Sequence, residues 1–222
     1  MKLAVFCDFD GTISMRDVGY SVFNHFSNGK NDELLPDWFS GKMTTRDCLI
    51  AEAEMVNASS EELYDFIDKI DIDPTFTEFV GICDSNDIPL SILSDGLDFY
   101  IKHLLAKNNL NHLQFITNRA ILEDNKIKVE FPYDNEECES CGICKGEVIK
   151  KFRKKHNSDF NIVYVGDGYS DACAAKEADI LFAKKDLVDY CKNNNIEYLN
   201  YDNFNDVTTY LIEQGLLKPN VE

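Results

Sequence analysis

Four short runs of apolar residues punctuate the chain, at Leu3–Cys7, Leu90–Leu93, Ile162–Val165 and Ile180–Ala183. Each is apolar at consecutive positions, the pattern of a strand covered on both faces. Helical spacing fills the intervals between and after them, including the basic amphipathic stretch Gly146–Lys155 and the amphipathic stretch Phe204–Leu217. Buried strands alternating with helices predict an α/β fold: a doubly wound parallel sheet that binds ligands beyond the carboxyl ends of its strands.

More than eighty residues separate the first run from the second, too many for one crossover helix. Within them Met15–Phe26, Thr44–Val56 and Ser59–Ile70 have helical apolar spacing, and Ser59 with Glu62 has the form of a capping box. These segments predict a small helical cap, residues 15–73, inserted into a core made of residues 1–14 and 74–222. Asp73-Pro74 supplies an N-cap and an N1 proline for a helix running to about Asn86, which returns the chain to the core. Arg119–Leu122 and Ile127–Phe131, either side of Glu123-Asp124-Asn125-Lys126, predict a hairpin.

Charge narrows the possible partners. Forty acidic residues against 22 basic ones give a net charge of −18, which repels nucleic acid and anionic lipid surfaces. An anionic substrate would therefore have to be drawn by a local concentration of positive charge. The apolar start is stopped by Asp8 before a signal peptide could develop, and no stretch approaches the ~20 apolar residues of a membrane span. A cytoplasmic protein is expected. The eight cysteines are expected to be mostly reduced, because a chain of this size needs no disulfide staples.

The polar residues that follow the apolar runs carry the candidate chemistry. After the first run comes Asp8-Phe9-Asp10-Gly11-Thr12, two carboxylates two positions apart at the ligand-facing edge; a plain glycine turn is the competing reading. After the second, Ser94-Asp95-Gly96 offers a hydroxyl and backbone amides to an anion, or alternatively a helix N-cap. After the third, Gly166-Asp167-Gly168-Tyr169-Ser170-Asp171 adds two carboxylates, and Asp8 with Asp167 could bind the hard cation Mg²⁺ through oxygen, Asp171 orienting a ligand. Lys145, at the head of the basic helix, could neutralise charge there, although a lone lysine is ordinarily solvated surface.

In this order and context the four elements resemble the haloacid dehalogenase superfamily, over Asp8 to Asp171. The place of the helical insertion is similar to that in its phosphoserine-phosphatase-like branch. The resemblance implies a Mg²⁺-dependent phosphatase acting on a small-molecule phosphate monoester through an aspartyl-phosphate intermediate. Asp8 would be the nucleophile and Asp10 the acid and base; Thr12, Ser94, Asp95, Gly96 and Lys145 would hold the phosphoryl group. Asp8, Asp167 and the Asp10 carbonyl would bind the metal, with Asp171 behind them. A phosphotransferase or mutase would use the same two aspartates, and a non-catalytic binding module would need none of the set.

Two further features bear on substrate and cofactor. Cys138, Cys141 and Cys144 lead directly into Lys145, which looks like the subgroup of methionine-salvage, phosphoethanolamine/phosphocholine and pyridoxal-phosphate phosphatases. The expected substrates are accordingly of the 2-hydroxy-3-keto-5-methylthiopentenyl-1-phosphate, phosphoserine or phosphoethanolamine type. The cysteine spacing suits a structural Zn²⁺, one ligand short of the usual four; reduced thiols packing a loop is the other reading. In the cap, Asp17 stands nine positions after Asp8, where phosphoserine phosphatases carry a glutamate that holds the substrate ammonium, and Arg46 could meet a carboxylate. A helix-terminal charge and a solvated arginine are their alternatives.

Overall fold

The computed structural model describes residues 2–133, 138 and 140–219. Seven strands, β1 (Lys2–Cys7), β2 (Leu90–Leu97), β3 (Gln114–Glu123), β4 (Lys126–Glu130), β5 (Phe160–Gly166), β6 (Ile180–Ala183) and β7 (Leu199–Asn200), form one sheet in the order β4-β3-β2-β1-β5-β6-β7. Every pair is parallel except β3 with β4. The central strand shows why its run is apolar throughout. Leu3, Val5 and Cys7 enter the hydrophobic cluster on one face, while Ala4 and Phe6 enter the cluster on the other. Successive side chains point to opposite faces, and helices cover both.

The helices on the core are α5 (Pro74–Ser85), α6 (Asp98–Lys107), α7 (Lys145–Lys155), α8 (Ala172–Ala175), α9 (Lys185–Asn194) and α10 (Phe204–Glu213). Asp73 caps α5 through the Thr75 N–H at 2.8 Å, with Pro74 in the first turn. The expected hairpin is β3–β4; its turn residues Asp124 and Asn125 have φ of 51° and 60°, the left-handed pair that matches the twist of a hairpin. The first half of β3, which pairs in parallel with β2, and the two-residue β7 carry too few apolar residues to have been expected from the pattern.

Between β1 and α5 the chain is helical: α1 (Val18–Ser27), α2 (Leu35–Phe39), α3 (Thr45–Met55) and α4 (Ser60–Ile67), with a 3₁₀ turn at Lys30–Glu33. The capping box of α4 is formed, Ser59 Oγ accepting from the Glu62 N–H and the Ser59 N–H donating to Glu62 Oε2 at 2.8 Å. The chain enters and leaves this segment as two adjacent extended stretches. Ser14 bridges Ile72, the Met15 N–H donates to the Asp71 carbonyl at 3.0 Å, and the Asp73 N–H to the Ile13 carbonyl at 2.8 Å. The helices also rest on the hairpin, since Lys126 Nζ donates to the Val56 carbonyl at 2.8 Å. Among the described residues no helix is long and apolar enough to cross a membrane.

Candidate active site

Strands β1, β2 and β5 are neighbours in the sheet, so the residues after them meet at one edge. The Asp8 N–H donates to the Val165 carbonyl at 2.9 Å, fixing the turn after β1 against the end of β5. The carboxylates of Asp8, Asp167 and Asp171 are buried, and their ligand oxygens all lie within 4.8 Å of one another. Lys145, at the start of α7, has a side chain with 0% exposure and places Nζ 2.7 Å from Asp8 and 2.6 Å from Asp171. Burial alone would lower the Lys145 ammonium; the carboxylates of Asp171, Asp8 and Asp95 outweigh it and hold Lys145 above the ordinary lysine range. Desolvation raises Asp8 well above the usual carboxylate range, with Asp171 adding to it and Lys145 opposing it.

Asp171 is saturated by protein donors. One oxygen takes Lys145 Nζ and the Tyr164 hydroxyl at 2.6 and 2.5 Å. The other takes the N–H groups of Asp167 and Gly168 at 2.9 and 3.1 Å. It thereby orients the Asp167 turn and the lysine. Lys185, at the start of α9, donates to Asp167 Oδ2 at 2.8 Å and to the Gly11 carbonyl at 3.0 Å. Ionised, Asp8, Asp95, Asp167 and Asp171 carry four negative charges against two positive ones from Lys145 and Lys185. That surplus, built of oxygen donors alone, fits a hard divalent cation such as Mg²⁺.

Asp10 sits apart from this cluster. Its Oδ1 accepts the N–H groups of Val18 and Gly19 at 2.9 and 3.3 Å, and its Oδ2 accepts the Ser94 and Tyr100 hydroxyls at 3.2 and 2.9 Å. Burial nevertheless wins over these donors and raises its pKa. Ser94 is not a helix cap: β2 continues to Leu97 across a register shift, and α6 begins at Asp98 with no side-chain cap. The Gly96 N–H donates to Ser94 Oγ at 3.0 Å, and a Cβ at Gly96 would overlap the Tyr100 hydroxyl and lie 2.6 Å from Asp10 Oδ2. Asp95 faces the loop before α7, accepting the Ile143 N–H at 2.6 Å. Thr12 Oγ1 donates to Asp167 Oδ1 at 3.0 Å.

Above the sheet edge a cavity of about 450 Å³ reaches into the helical segment. Its floor includes Asp8, Asp10, Ser94, Asp95, Gly96 and Asp167; its far wall is apolar, with Phe23, Leu35, Trp38, Phe39 and Leu49. Asp17 lines the cavity and also caps α1, accepting the Tyr20 N–H at 2.7 Å. Burial, and then Asp10, push its carboxyl up to about 7. Glu52, on the same wall, is pushed up to about 7 by burial. Arg46 is not among the lining residues: its guanidinium packs over the Phe131 ring and donates to the Cys141 carbonyl at 2.9 Å. Tyr100 and Lys185 were missed in the sequence. Lys185 had a signal, since it follows the fourth apolar run as the other site residues follow theirs; Tyr100, within α6, had none.

The zinc expectation for Cys138, Cys141 and Cys144 is not supported for that trio. Among the described residues the aspartate triad is the only group of three or more ligand atoms gathered within 4.8 Å.

A family model described as Putative Phosphatase matches residues 3–204. Proteins named 2-hydroxy-3-keto-5-methylthiopentenyl-1-phosphate phosphatase, from Bacillus thuringiensis (strain Al Hakam) and Bacillus cereus (strain AH820), are 31% identical over 215 residues, 95% of this chain and 96% of theirs. Among solved structures, a phospho-aspartyl intermediate analogue of phosphoserine phosphatase superposes with a TM-score of 0.71 at 19% identity, covering 94% of this chain and 98% of that one. A substrate-bound phosphoserine phosphatase gives 0.72 at 18%, covering 95% and 98%. At these identities the structures establish the fold.

Proposed function

Since the chain belongs to the Putative Phosphatase family, within the haloacid dehalogenase superfamily, we propose that it hydrolyses a small-molecule phosphate monoester with Asp8 as nucleophile. The observation that carries this reading is the pairing of Asp8 with a fully buried Lys145 at 2.7 Å, beside a second aspartate, Asp10, that burial holds toward its neutral form. Asp8 attacks phosphorus, the bond to the ester oxygen breaks, and Asp10 gives that oxygen its proton. Asp10, now ionised, takes a proton from the water that attacks the aspartyl phosphate, which releases phosphate and restores Asp8. Lys145 and Ser94 hold the phosphoryl oxygens, with Thr12, Asp95 and Gly96 shaping the cradle around them.

Asp8, Asp167 and the Asp10 carbonyl would hold Mg²⁺, which offsets the repulsion between phosphate and Asp8. Asp171 acts as a positioning residue, because its oxygens are taken by Lys145, Tyr164 and two backbone amides.

Residues 15–73 serve as a cap that closes the cavity and reads the rest of the substrate. Its apolar wall, together with two carboxyls pushed up to about 7, favours a neutral, partly apolar end over an ammonium. That agrees with the hydroxy-keto methylthiopentenyl phosphate in the names of the Bacillus relatives. Asp17 then accepts a hydroxyl proton or simply caps α1. None of the eight cysteines is in a disulfide, which suits a reducing compartment such as the cytoplasm.

A panel of phosphate monoesters, each with Mg²⁺ and with excess chelator, tests the reading. Turnover should require the metal and should favour an acyclic phosphate with a neutral apolar end over phosphoserine and phosphoethanolamine. Full activity in chelator would remove the metal from the site.

A further inference from the structure

The cysteine motif is the feature that the phosphatase reading leaves unused, and the fold adds to it a residue far away in the chain. Cys173 is the second residue of the short helix α8, two positions after Asp171. Its Cβ lies 3.1 Å from where a Cβ at Gly146 would stand, and its sulfur neighbours those of Cys141 and Cys144, as the sulfur of Cys144 neighbours that of Cys138. Cys138 and Cys141 have their Sγ atoms 3.3 Å apart. The four sulfurs are thus joined pairwise in a ring, and none of the four is in a disulfide.

We propose that Cys138, Cys141, Cys144 and Cys173 form a tetrathiolate site for Zn²⁺, distinct from the Mg²⁺ site. The trio in the loop is one ligand short of a structural zinc centre, and Cys173 completes the set. Thiolates are soft donors and suit zinc, whereas the oxygens of the aspartate cluster suit magnesium. A tetrahedral centre with Zn–S bonds of about 2.3 Å needs sulfurs about 3.8 Å apart on every edge. No three of the four sulfurs lie within 4.8 Å of one another, so metal binding would draw the opposite corners of the ring inward. Cys138 and Cys141 are only partly buried, which leaves a path for the ion. The start of α7, directly after Cys144, places the positive end of a helix beside the thiolates.

The surroundings indicate what the ion would do. A Cβ at Gly146 would lie 2.6 Å from the Cys173 carbonyl, so the first turn of α7 is pressed against the backbone that follows Asp171. The same loop gives its Cys141 carbonyl to Arg46 of the cap and its Ile143 N–H to Asp95. Zinc would clamp the start of α7 to the Asp171 turn, and so hold Lys145 and Asp171 at their 2.6 Å separation. This inference does not depend on the phosphatase reading.

Elemental analysis of full-length protein, produced with zinc in the medium and desalted, should find one zinc per chain. Cobalt reconstitution should give the sulfur-to-metal charge-transfer bands and tetrahedral d–d bands of a thiolate centre. Cys173→Ser should lose most of the bound zinc, whereas Cys83→Ala, at a buried cysteine outside the ring, should keep it. Cys138→Ser, at the partly exposed corner, gives the same readout if Cys173→Ser does not fold. Wild-type protein without zinc, with its four thiols freely titratable or with a Cys138–Cys141 disulfide at rest, would overturn the proposal. So would Cys173→Ser retaining a full equivalent of zinc.

Discussion

The sheet edge and the helical segment above it border the same cavity but are built on opposite principles. At the edge, nearly every polar atom is committed: Asp171 has four donors, Asp10 has four, and Lys145 bridges two carboxylates with no exposure. In the cap wall, contact is made by Phe23, Leu35, Trp38, Phe39 and Leu49, and its two carboxyls are held toward neutrality. Reacting groups must be placed to a fraction of an ångström, which a saturated polar network achieves. Apolar contact is tolerant of shape and can follow a different substrate. On the proposed function, chemistry belongs to the core and selectivity to the cap.

Removing the proposed nucleophile should have the largest effect. Asp8→Asn is expected to lower kcat on an aryl phosphate by on the order of 10⁴-fold or more. Appreciable residual turnover, measured with the same metal and substrate, would move the nucleophile elsewhere.

Lys145→Met should damage the edge as a structure as well as a site. It leaves Asp8 and Asp171 buried without their cation, and breaking a buried ion pair from one side costs about 3–5 kcal/mol. Urea unfolding should show that loss in the absence of Mg²⁺, with partial recovery when Mg²⁺ is added. An unchanged midpoint would mean that the network does not hold the edge together.

Tyr100→Phe removes one hydrogen bond of 2.9 Å to Asp10 and leaves the packing in place. Hydrogen bonds to charged groups are worth about 1.5–3 kcal/mol, so kcat for an alkyl phosphate should fall roughly tenfold to a hundredfold. An aryl phosphate, whose leaving oxygen needs little protonation, should suffer less in the first step. Equal losses on the two substrates would make Tyr100 a packing residue only.

The smallest expected effect lies in the cap. Burial raises the Glu52 carboxyl from 4.5 to about 7, so folding favours its protonated form. Its contribution to stability is complete below the unfolded-state value and fades as pH rises through about 7. Glu52→Gln should therefore gain a few degrees in Tm relative to the native chain between pH 4.5 and 7, at about 2–4 °C per kcal/mol for a chain of this size. A difference that does not vary with pH would place the Glu52 carboxyl in water.

Much of the molecule was written locally. The apolar runs specified β1, β2, β5 and β6 because a strand buried on both faces must be apolar along its length. Ser59 with Glu62, and Asp73 with Pro74, marked helix starts because capping is a contact between residues two or three apart. Asp8, Asp10, Ser94, Asp167 and Asp171 could be expected at one edge because strand ends in a parallel sheet converge whatever the rest of the chain does; Lys145, at the head of α7, follows no strand and stood out only in their company. What depends on long-range packing was not legible. Tyr100 reaches Asp10 only because α6 lies against the turn after β1, and Arg46 turns to the Cys141 loop instead of the cavity because α3 leans on the hairpin. Cys173 meets a loop some thirty residues before it in the sequence because α7 and α8 pack side by side. Such contacts are chosen by the packing of whole elements, and no spacing along the chain records them.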